Sequence, residues 1–356
     1  MSNRTAPLRV GIVGCGRIAQ VMHLPYLDEL PQFQVTAIAD LSRQTTDALA
    51  ARYRVPLASQ DFRDVVAADV DVVAVLSPNH VEVAEAAIDA GKHVFVEKPL
   101  AFDPDAAQRL VDLAKARGVV LAVGYMKYHD RAYEELRQRA STFDARLVRA
   151  RVLFGRAFRP TRFYGLVPAD DLQAGATTAG SFDREARAVE THLGPAHARH
   201  ARLYTHFLNL GCHDLAVLRG VLGPPERVLA ATTPTDVSVV AILAYPDGAQ
   251  AVLEVGEWPQ QAWWDERLEV IGDADALILE FGNPWVRYSA SRLWHRRGRD
   301  AGAIVEELPL AHDDQFRDQW IHLYEVFAND APLRSTGEDA VADIRLALDI
   351  VRALPA

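Results

Sequence analysis

The feature that most constrains this chain is a glycine-punctuated turn near its amino terminus. The apolar run Leu8–Val13 (LRVGIV) leads directly into Gly14, Gly16 and Ala19, spaced G-x-G-x-x-A, and then into a helical pattern that continues to Leu30. In such a turn the first glycine allows the tight reversal and the second lets a pyrophosphate approach the backbone. The small third residue lets helix and strand pack closely. The helix N-terminus adds free N–H groups and a partial positive charge for phosphates. Asp40 closes the next apolar run, FQVTAIAD, near the spacing at which a carboxylate accepts hydrogen bonds from a ribose diol and repels a 2′-phosphate. This favours NAD over NADP, and Arg43 just beyond offsets part of the repulsion. Cys15 has two readings: a thiol activated by the helix N-terminus, or a small residue facing the cofactor.

The rest of the first third repeats the same alternation. Strands are expected at Leu8–Val13, Phe33–Asp40, Asp71–Leu76, His93–Val96 and Val119–Gly124, with helices at Gly16–Leu30, Thr45–Arg52, Val81–Ala90 and Pro104–Arg117. Short β-branched runs alternating with helices specify a parallel sheet covered on both faces, hence a doubly wound α/β fold. Beyond Gly124 the pattern changes. A helix (Asp130–Arg139) and a strand (Ala145–Phe154) precede a polar stretch, Pro168–His200, that has no clear period. A long helix, Leu203–Leu222, then leads to successive strands at 227–232, 237–244, 250–254, 267–272 and 276–281, and two helices end the chain at 313–329 and 337–354. Strands in succession without helices argue for an antiparallel sheet. The expected architecture is an N-terminal Rossmann domain, residues 1–126, and a C-terminal α+β domain with a mainly antiparallel open sheet, residues 127–356.

Composition narrows the partners. In 356 residues, 38 basic and 48 acidic side chains leave a net charge of −10, which disfavours nucleic acid and anionic lipid as partners. No apolar run approaches the roughly 18 residues that span a bilayer, and the first residues lack the apolar core of a signal peptide. Two cysteines, Cys15 and Cys212, suit a reducing cytoplasm. Only four of the basic residues are lysines: Lys92, Lys98, Lys115 and Lys127.

Lys98 follows a buried strand at its carboxyl end, where open α/β sheets bind ligands. Its ammonium can donate to a substrate oxygen and stabilise charge on a forming alkoxide. Together, GCGRIA (Gly14–Ala19), SPNH (Ser77–His80), AGKHV (Ala90–Val94) and EKP (Glu97–Pro99) resemble the Gfo/Idh/MocA family, the glucose–fructose oxidoreductase and inositol dehydrogenase group. The resemblance is strong over residues 8–127 and weaker beyond. It implies a catalytic and substrate-binding role for Lys98, with a Lys98–Pro99 bond that is often cis. It also implies a cofactor site drawn from Gly14, Gly16, Arg17, Ile18, Ala19, Asp40, Arg43, Ser77, Pro78, Asn79, His80, Glu97 and Lys98. The following GYMK resembles an inositol dehydrogenase branch and implies that Tyr125 and Lys127 bind substrate.

In that family the long helix of the second domain carries an Asp and, four residues later, a His. Here those positions hold Asn209 and His213, with His206 on the same face, since four residues advance about 400°. An imidazole titrates near neutrality, so His213 is the candidate general base. Asn209 can bind a substrate hydroxyl or orient His213 but cannot raise its pKa as an aspartate would. Asp214 points about 100° away. His192, His197 and His200 read as a polar loop rather than a metal site. Trp258, Trp263 and Trp264 read either as an exposed sheet face for a homodimer or homotetramer, common in the family, or as core. The resulting expectation is hydride transfer between NAD, or NADP, and a secondary alcohol or ketone of a sugar or cyclitol, with inositol as the leading substrate. The alternatives are a ketosugar reductase, a redox-neutral glycoside-cleaving enzyme and a non-catalytic dinucleotide sensor.

Overall fold

Valine, isoleucine and alanine runs with no polar face build the first sheet. A computed structural model describes residues 6–355 apart from 79, 143, 156–159, 173–177, 259, 300–301 and 309–313. Six strands, β1 (Leu8–Val13), β2 (Phe33–Ala39), β3 (Leu57–Ser59), β4 (Val72–Val75), β5 (His93–Val96) and β6 (Leu121–Val123), lie in the order β3-β2-β1-β4-β5-β6. Every described pairing in this sheet is parallel. The chain leaves β1 and β4 toward opposite ends of the sheet, so the crevice at their carboxyl ends is the topological switch point.

Helices connect these strands: α1 (Leu24–Glu29), α2 (Arg43–Tyr53), α3 (Phe62–Ala67), α4 (His80–Asp89) and α5 (Pro104–Arg117). The ends of α5 follow from local chemistry. Asp103 accepts from the N–H groups of Asp105 and Ala106, Pro104 fills the first turn, and Gly118 closes the helix at φ +67°. Before α1 the helical stretch from the glycine loop is widened into a π-turn over Ala19–His23, where Leu24 N–H bonds back to the Ala19 carbonyl. Such widened turns occur mostly inside α-helices near functional sites. The short β3 and α3 were not expected from the sequence pattern.

The remaining elements are α6 (Arg131–Ala140), β7 (Ala145–Gly155), α7 (Thr178–Leu193), α8 (Ala201–Leu222), β8 (Arg227–Thr235), β9 (Ser238–Ala244), β10 (Gln250–Trp258), β11 (Trp264–Gly272), β12 (Asp275–Glu280), β13 (Arg292–Arg299), β14 (Gly302–Glu307), α9 (Gln315–Asn329) and α10 (Gly337–Arg352). The eight strands form one sheet in the order β14-β13-β12-β11-β7-β10-β9-β8. It is antiparallel except where β10 runs parallel to β7. Alternation along β7 buries Val148, Ala150 and Val152, and along β10 Ala251, Leu253 and Val255. The opposite face carries a charge lattice. Arg149 lies directly across from Glu269, and Arg151 and Arg267, themselves opposite, share Asp265.

The chain divides into two compact units whose boundaries are not sequential. The first holds the residues through Tyr125 together with Thr161–Glu185 and Phe316–Ala342; the second holds Met126–Pro160, Ala186–Gln315 and the residues from Asp343 on. Two segments that the sequence pattern groups with the second domain therefore pack within the first unit. Trp320 of α9 is fully buried there, with ring centroids 5.0 Å from Phe95, 5.4 Å from Phe33 and 5.8 Å from His23. In the second unit, Tyr128 and Tyr133 donate their hydroxyls to the α8 carbonyls of Ala216 and Val217, each at 2.8 Å. Gly220 makes this approach possible, because a Cβ there would stand 2.0 Å from the Tyr133 hydroxyl.

Candidate cofactor-binding and catalytic residues

The glycine loop meets β4 at the switch point. Gly14 sits at φ +98°, and a Cβ on it would lie 2.3 Å from the Ser77 nitrogen, so only glycine fits. A Cβ on Gly16 would have nothing within 4 Å, and Gly16 and Arg17 are exposed. Ile18 is half-buried and Ala19 fully buried against the sheet. The Ser77 hydroxyl is buried and has no hydrogen-bond partner among the described residues. An open backbone turn facing an unused buried hydroxyl fits a phosphate-bearing dinucleotide. Pro78 is exposed, and Asn79 lies outside the described residues.

Asp40 is held by backbone donors. Cys15 N–H reaches one carboxylate oxygen at 2.7 Å and Ser42 N–H the other at 2.9 Å. Arg43, exposed, opens α2. The Cys15 thiol is fully buried, and burial, aided by the Asp40 charge, pushes its pKa up. Burial favours the reading of Cys15 as a small packed residue over an activated thiol.

At the end of β5, Glu97 is buried with both oxygens engaged. Oε1 is 2.9 Å from His23 Nε2, and Oε2 accepts the Lys98 N–H at 3.1 Å. Trp320 Nε1–H donates to His23 Nδ1 at 3.1 Å, so the imidazole hydrogen lies on Nε2 and points at Glu97. Burial alone raises the Glu97 pKa, but the His23 hydrogen bond and the neighbouring Lys98 charge outweigh it and hold the carboxyl below its ordinary value. The Lys98–Pro99 bond is cis, and Lys98 is half-buried. His80 Nδ1–H donates to the Pro99 carbonyl at 2.8 Å, which leaves Nε2 without the hydrogen. Burial lowers the His80 pKa against the pull of that bond and of Glu97. Glu97, His80 and Lys98 thus form one locally connected cluster. The contributions of His23 and Trp320 carried no sequence signal beyond their being aromatic residues in helices.

Within the second unit, α8 presents His206, Asn209 and His213 at spacings of three and four residues. His213 is 7% exposed, and His206 Nδ1 lies 3.9 Å from Glu257. Gly211 lets α8 lie close on β10, since a Cβ would meet Val255 at 2.9 Å. Asp214 faces inward. It is buried, and neither carboxylate oxygen reaches a donor of another residue. Burial first, and Glu266 second, push its pKa far up, with Lys127 opposing.

Lys127, expected from the sequence to bind substrate, lies buried within the second unit. Its ammonium is 1% exposed, 2.5 Å from Glu266 and 4.1 Å from the Phe281 ring centroid, so its charge is matched inside the unit. Glu266 also accepts from Trp264 Nε1 at 2.9 Å. Tyr125, the last residue of the first unit's opening segment, is likewise buried at 2%. Trp263 is 52% exposed, whereas Trp258 and Trp264 are half-buried. His197 bonds the Leu354 carbonyl at 3.0 Å and His200 the Pro355 carbonyl at 3.3 Å.

Comparison with known proteins agrees with this geometry. Residues 8–125 match the profile described as the oxidoreductase family, NAD-binding Rossmann fold, and residues 180–278 match the GFO/IDH/MocA C-terminal domain. A dTDP-3,4-didehydro-2,6-dideoxy-alpha-D-glucose 3-reductase of Streptomyces violaceoruber is 39% identical over 134 residues, 36% of this chain and 39% of that protein. A myo-inositol dehydrogenase of Streptomyces leeuwenhoekii is 26% identical over 284 residues, 76% of each chain. The first seven curated relatives are matched over only 35–40% of their own length. A 3-ketoreductase from Actinomadura kijaniata, solved with NADP and TDP-benzene, shares the fold at TM-score 0.74 and 21% identity, covering 98% of both chains.

Proposed function

The chain belongs to the Gfo/Idh/MocA oxidoreductase family, and from that membership we propose that it is an NAD(P)-dependent oxidoreductase. Its substrate would be a secondary alcohol or ketone of a sugar or cyclitol, inositol-like in the leading case. The observation that carries this reading is Lys98, fixed by Glu97 at the carboxyl edge of a sheet whose glycine turn and free Ser77 hydroxyl fit a dinucleotide. The nicotinamide, when bound, supplies the hydride chemistry. Gly14, Gly16, Arg17, Ile18, Ala19 and Ser77 hold the phosphates, with Pro78, Asn79 and His80 beside them, and Asp40 and Arg43 read the adenosine ribose. Lys98 Nζ donates to the substrate oxygen that gains or loses a proton. His213 takes that proton in oxidation and returns it in reduction. Asn209 and His206 bind neighbouring hydroxyls, and Tyr125 shapes the site from its buried position. Residues 127–356 supply substrate recognition and assembly.

Absorbance of the reduced nicotinamide in the near ultraviolet tests this directly. Inositols and aldoses are offered with NAD or NADP, and ketosugars with the reduced cofactors. Turnover of at least one polyol is expected, and Lys98→Ala is expected to lower kcat/KM by about 10²–10⁴-fold. Tight dinucleotide binding with no turnover in either direction would overturn the enzyme reading and favour a sensor. The cytoplasm as location and a homodimer or homotetramer as assembly belong to the same proposal. Neither Cys15 nor Cys212 is in a disulfide, and no helix among the described residues is long and apolar enough to cross a membrane. Light scattering of the purified protein reads the assembly, and a monomer would remove that part.

A further inference from the structure

The segment 164–172 lies far along the chain from the glycine loop yet is tied to it. Gln20 of the π-turn clamps Val167 from both sides, accepting its N–H at 2.8 Å and donating to its carbonyl at 3.1 Å, while the same amide donates to the Cys15 carbonyl at 2.9 Å. Thr45 donates to the Pro168 carbonyl at 3.1 Å and Arg52 to the Gly165 carbonyl at 3.1 Å. These tethers, from the glycine loop and from α2, deliver Asp171 to the N-terminus of α2. There its carboxylate accepts the Ser42 hydroxyl at 2.5 Å and the Gln44 N–H at 3.0 Å. The other N–H groups there are also engaged: that of Ser42 serves Asp40, that of Thr45 the Ser42 hydroxyl, and that of Arg43 adds to the hold on Asp171.

We propose that Asp171 is the cofactor-specificity residue, its carboxylate filling with the protein's own charge the anion position that a 2′-phosphate on the adenosine ribose would otherwise use. The inference rests on the dinucleotide reading given above and deepens it. A 2′-phosphate beside Asp40 needs donors from the first turn of the following helix. Here the Gln44 N–H and the Ser42 hydroxyl are committed to the Asp171 carboxylate, which is placed by four hydrogen bonds from the side chains of Gln20, Thr45 and Arg52, and the Ser42 N–H is committed to Asp40. A dianionic phosphate would meet both a saturated helix end and two carboxylates, Asp40 and Asp171. A 2′-hydroxyl, which carries no charge, meets neither penalty. The hydrogen bonds from Ser42 and Gln44 hold the Asp171 carboxyl below its ordinary range, so it stays charged at neutral pH.

Isothermal titration of the purified protein with NAD and with NADP, at one ionic strength, tests this without turnover. The parent is expected to bind NAD at least about tenfold more tightly than NADP, as like-charge juxtaposition requires. In Asp171→Asn and in Asp171→Ser, NADP affinity is expected to rise at least about tenfold while NAD affinity stays within about threefold. An unchanged NAD:NADP ratio in a variant that still binds NAD overturns the inference and leaves the dinucleotide reading standing. So does a parent that prefers NADP. A parent that binds neither nucleotide overturns both. Should a variant lose both ligands, titration of the parent with 5′-AMP and 2′-AMP decides: binding of 5′-AMP alone supports the proposal, and equal binding refutes it.

Discussion

Replacing Glu97 by Gln keeps the shape of the side chain and changes only its acceptors. In the parent both oxygens face donors: His23 Nε2–H at 2.9 Å and Lys98 N–H at 3.1 Å. His23 cannot turn its other nitrogen to Gln, because Trp320 Nε1–H already fills it. The amide has one oxygen, so one of the two N–H groups must face an NH₂ group. A hydrogen bond to a charged acceptor contributes about 1.5–3 kcal/mol, and a buried donor left facing a donor costs about 1–3 kcal/mol. Removing the buried charge returns part of this. A net loss of about 2 kcal/mol is expected at pH 7, or about 4–8 °C in Tm for units of this size. The pH dependence separates this cause from simple misfit. The Glu97 carboxyl is held below its ordinary value when folded, so its stabilisation is complete above the unfolded value of about 4.3 and is lost as pH falls through the lower folded value. Urea melts followed by tryptophan fluorescence should therefore show a gap between parent and variant that is widest at neutral pH and closes in acid. A variant as stable as the parent at pH 7, or a gap unchanged down to about pH 3, would refute the reasoning.

Three further outcomes are expected. Gly14→Ala loses dinucleotide binding by titration and at least about 2 kcal/mol of stability, whereas Gly16→Ala, which has room for its methyl group, melts like the parent and weakens only nucleotide binding. Gly220→Ala drives a methyl into the Tyr133 hydroxyl and costs about 2–3 kcal/mol by urea titration, part of which Tyr133→Phe restores. Asp214 has a raised folded pKa, so it favours the folded state most below its unfolded value and loses that contribution as pH rises toward the folded one. Asp214→Asn should therefore match the parent in stability near pH 4 and exceed it near pH 8, by about 1–3 kcal/mol in denaturant melts; the reverse order would show a carboxylate that is ionised and useful.

What the sequence made legible follows the physics of local signals. The helix α5 was readable to its ends because Asp103, Pro104 and Gly118 are chemical markers of a start and a stop. The glycine turn was readable because a backbone shape demanded specific residues. The hairpin β13–β14 was not, because an outermost strand such as β14, with every residue exposed, carries no alternation between core and water. Nor was the parallel pairing of β7 with β10, since succession along the chain suggested only hairpins. Among candidate site residues, Lys98, Asp40 and the loop glycines are suggested by their own sequence neighbourhoods. The internal neutralisation of Lys127 was hidden because its partner Glu266 comes from β11, far along the chain. The placement of Asp171 at the start of α2 was hidden for the same reason, since it lies in a polar stretch without period.

Trp320 has a further consequence, for how the molecule is made. Its indole completes the core around His23, Phe33 and Phe95, and its bond to His23 joins residues 297 positions apart. Synthesis runs from the amino end, and a chain's early part commonly settles while the rest is still being made. Here that head start is incomplete. Until α9 emerges, the aromatic site for Trp320 stays open and His23 lacks the donor that orients it toward Glu97. The first 125 residues, although they contain every described strand of the parallel sheet, are expected to form an expanded nascent state that awaits α9. In a chain of this design the support of Lys98 through Glu97, His23 and Trp320 is completed only once α9 has been made, long after the strands of the parallel sheet.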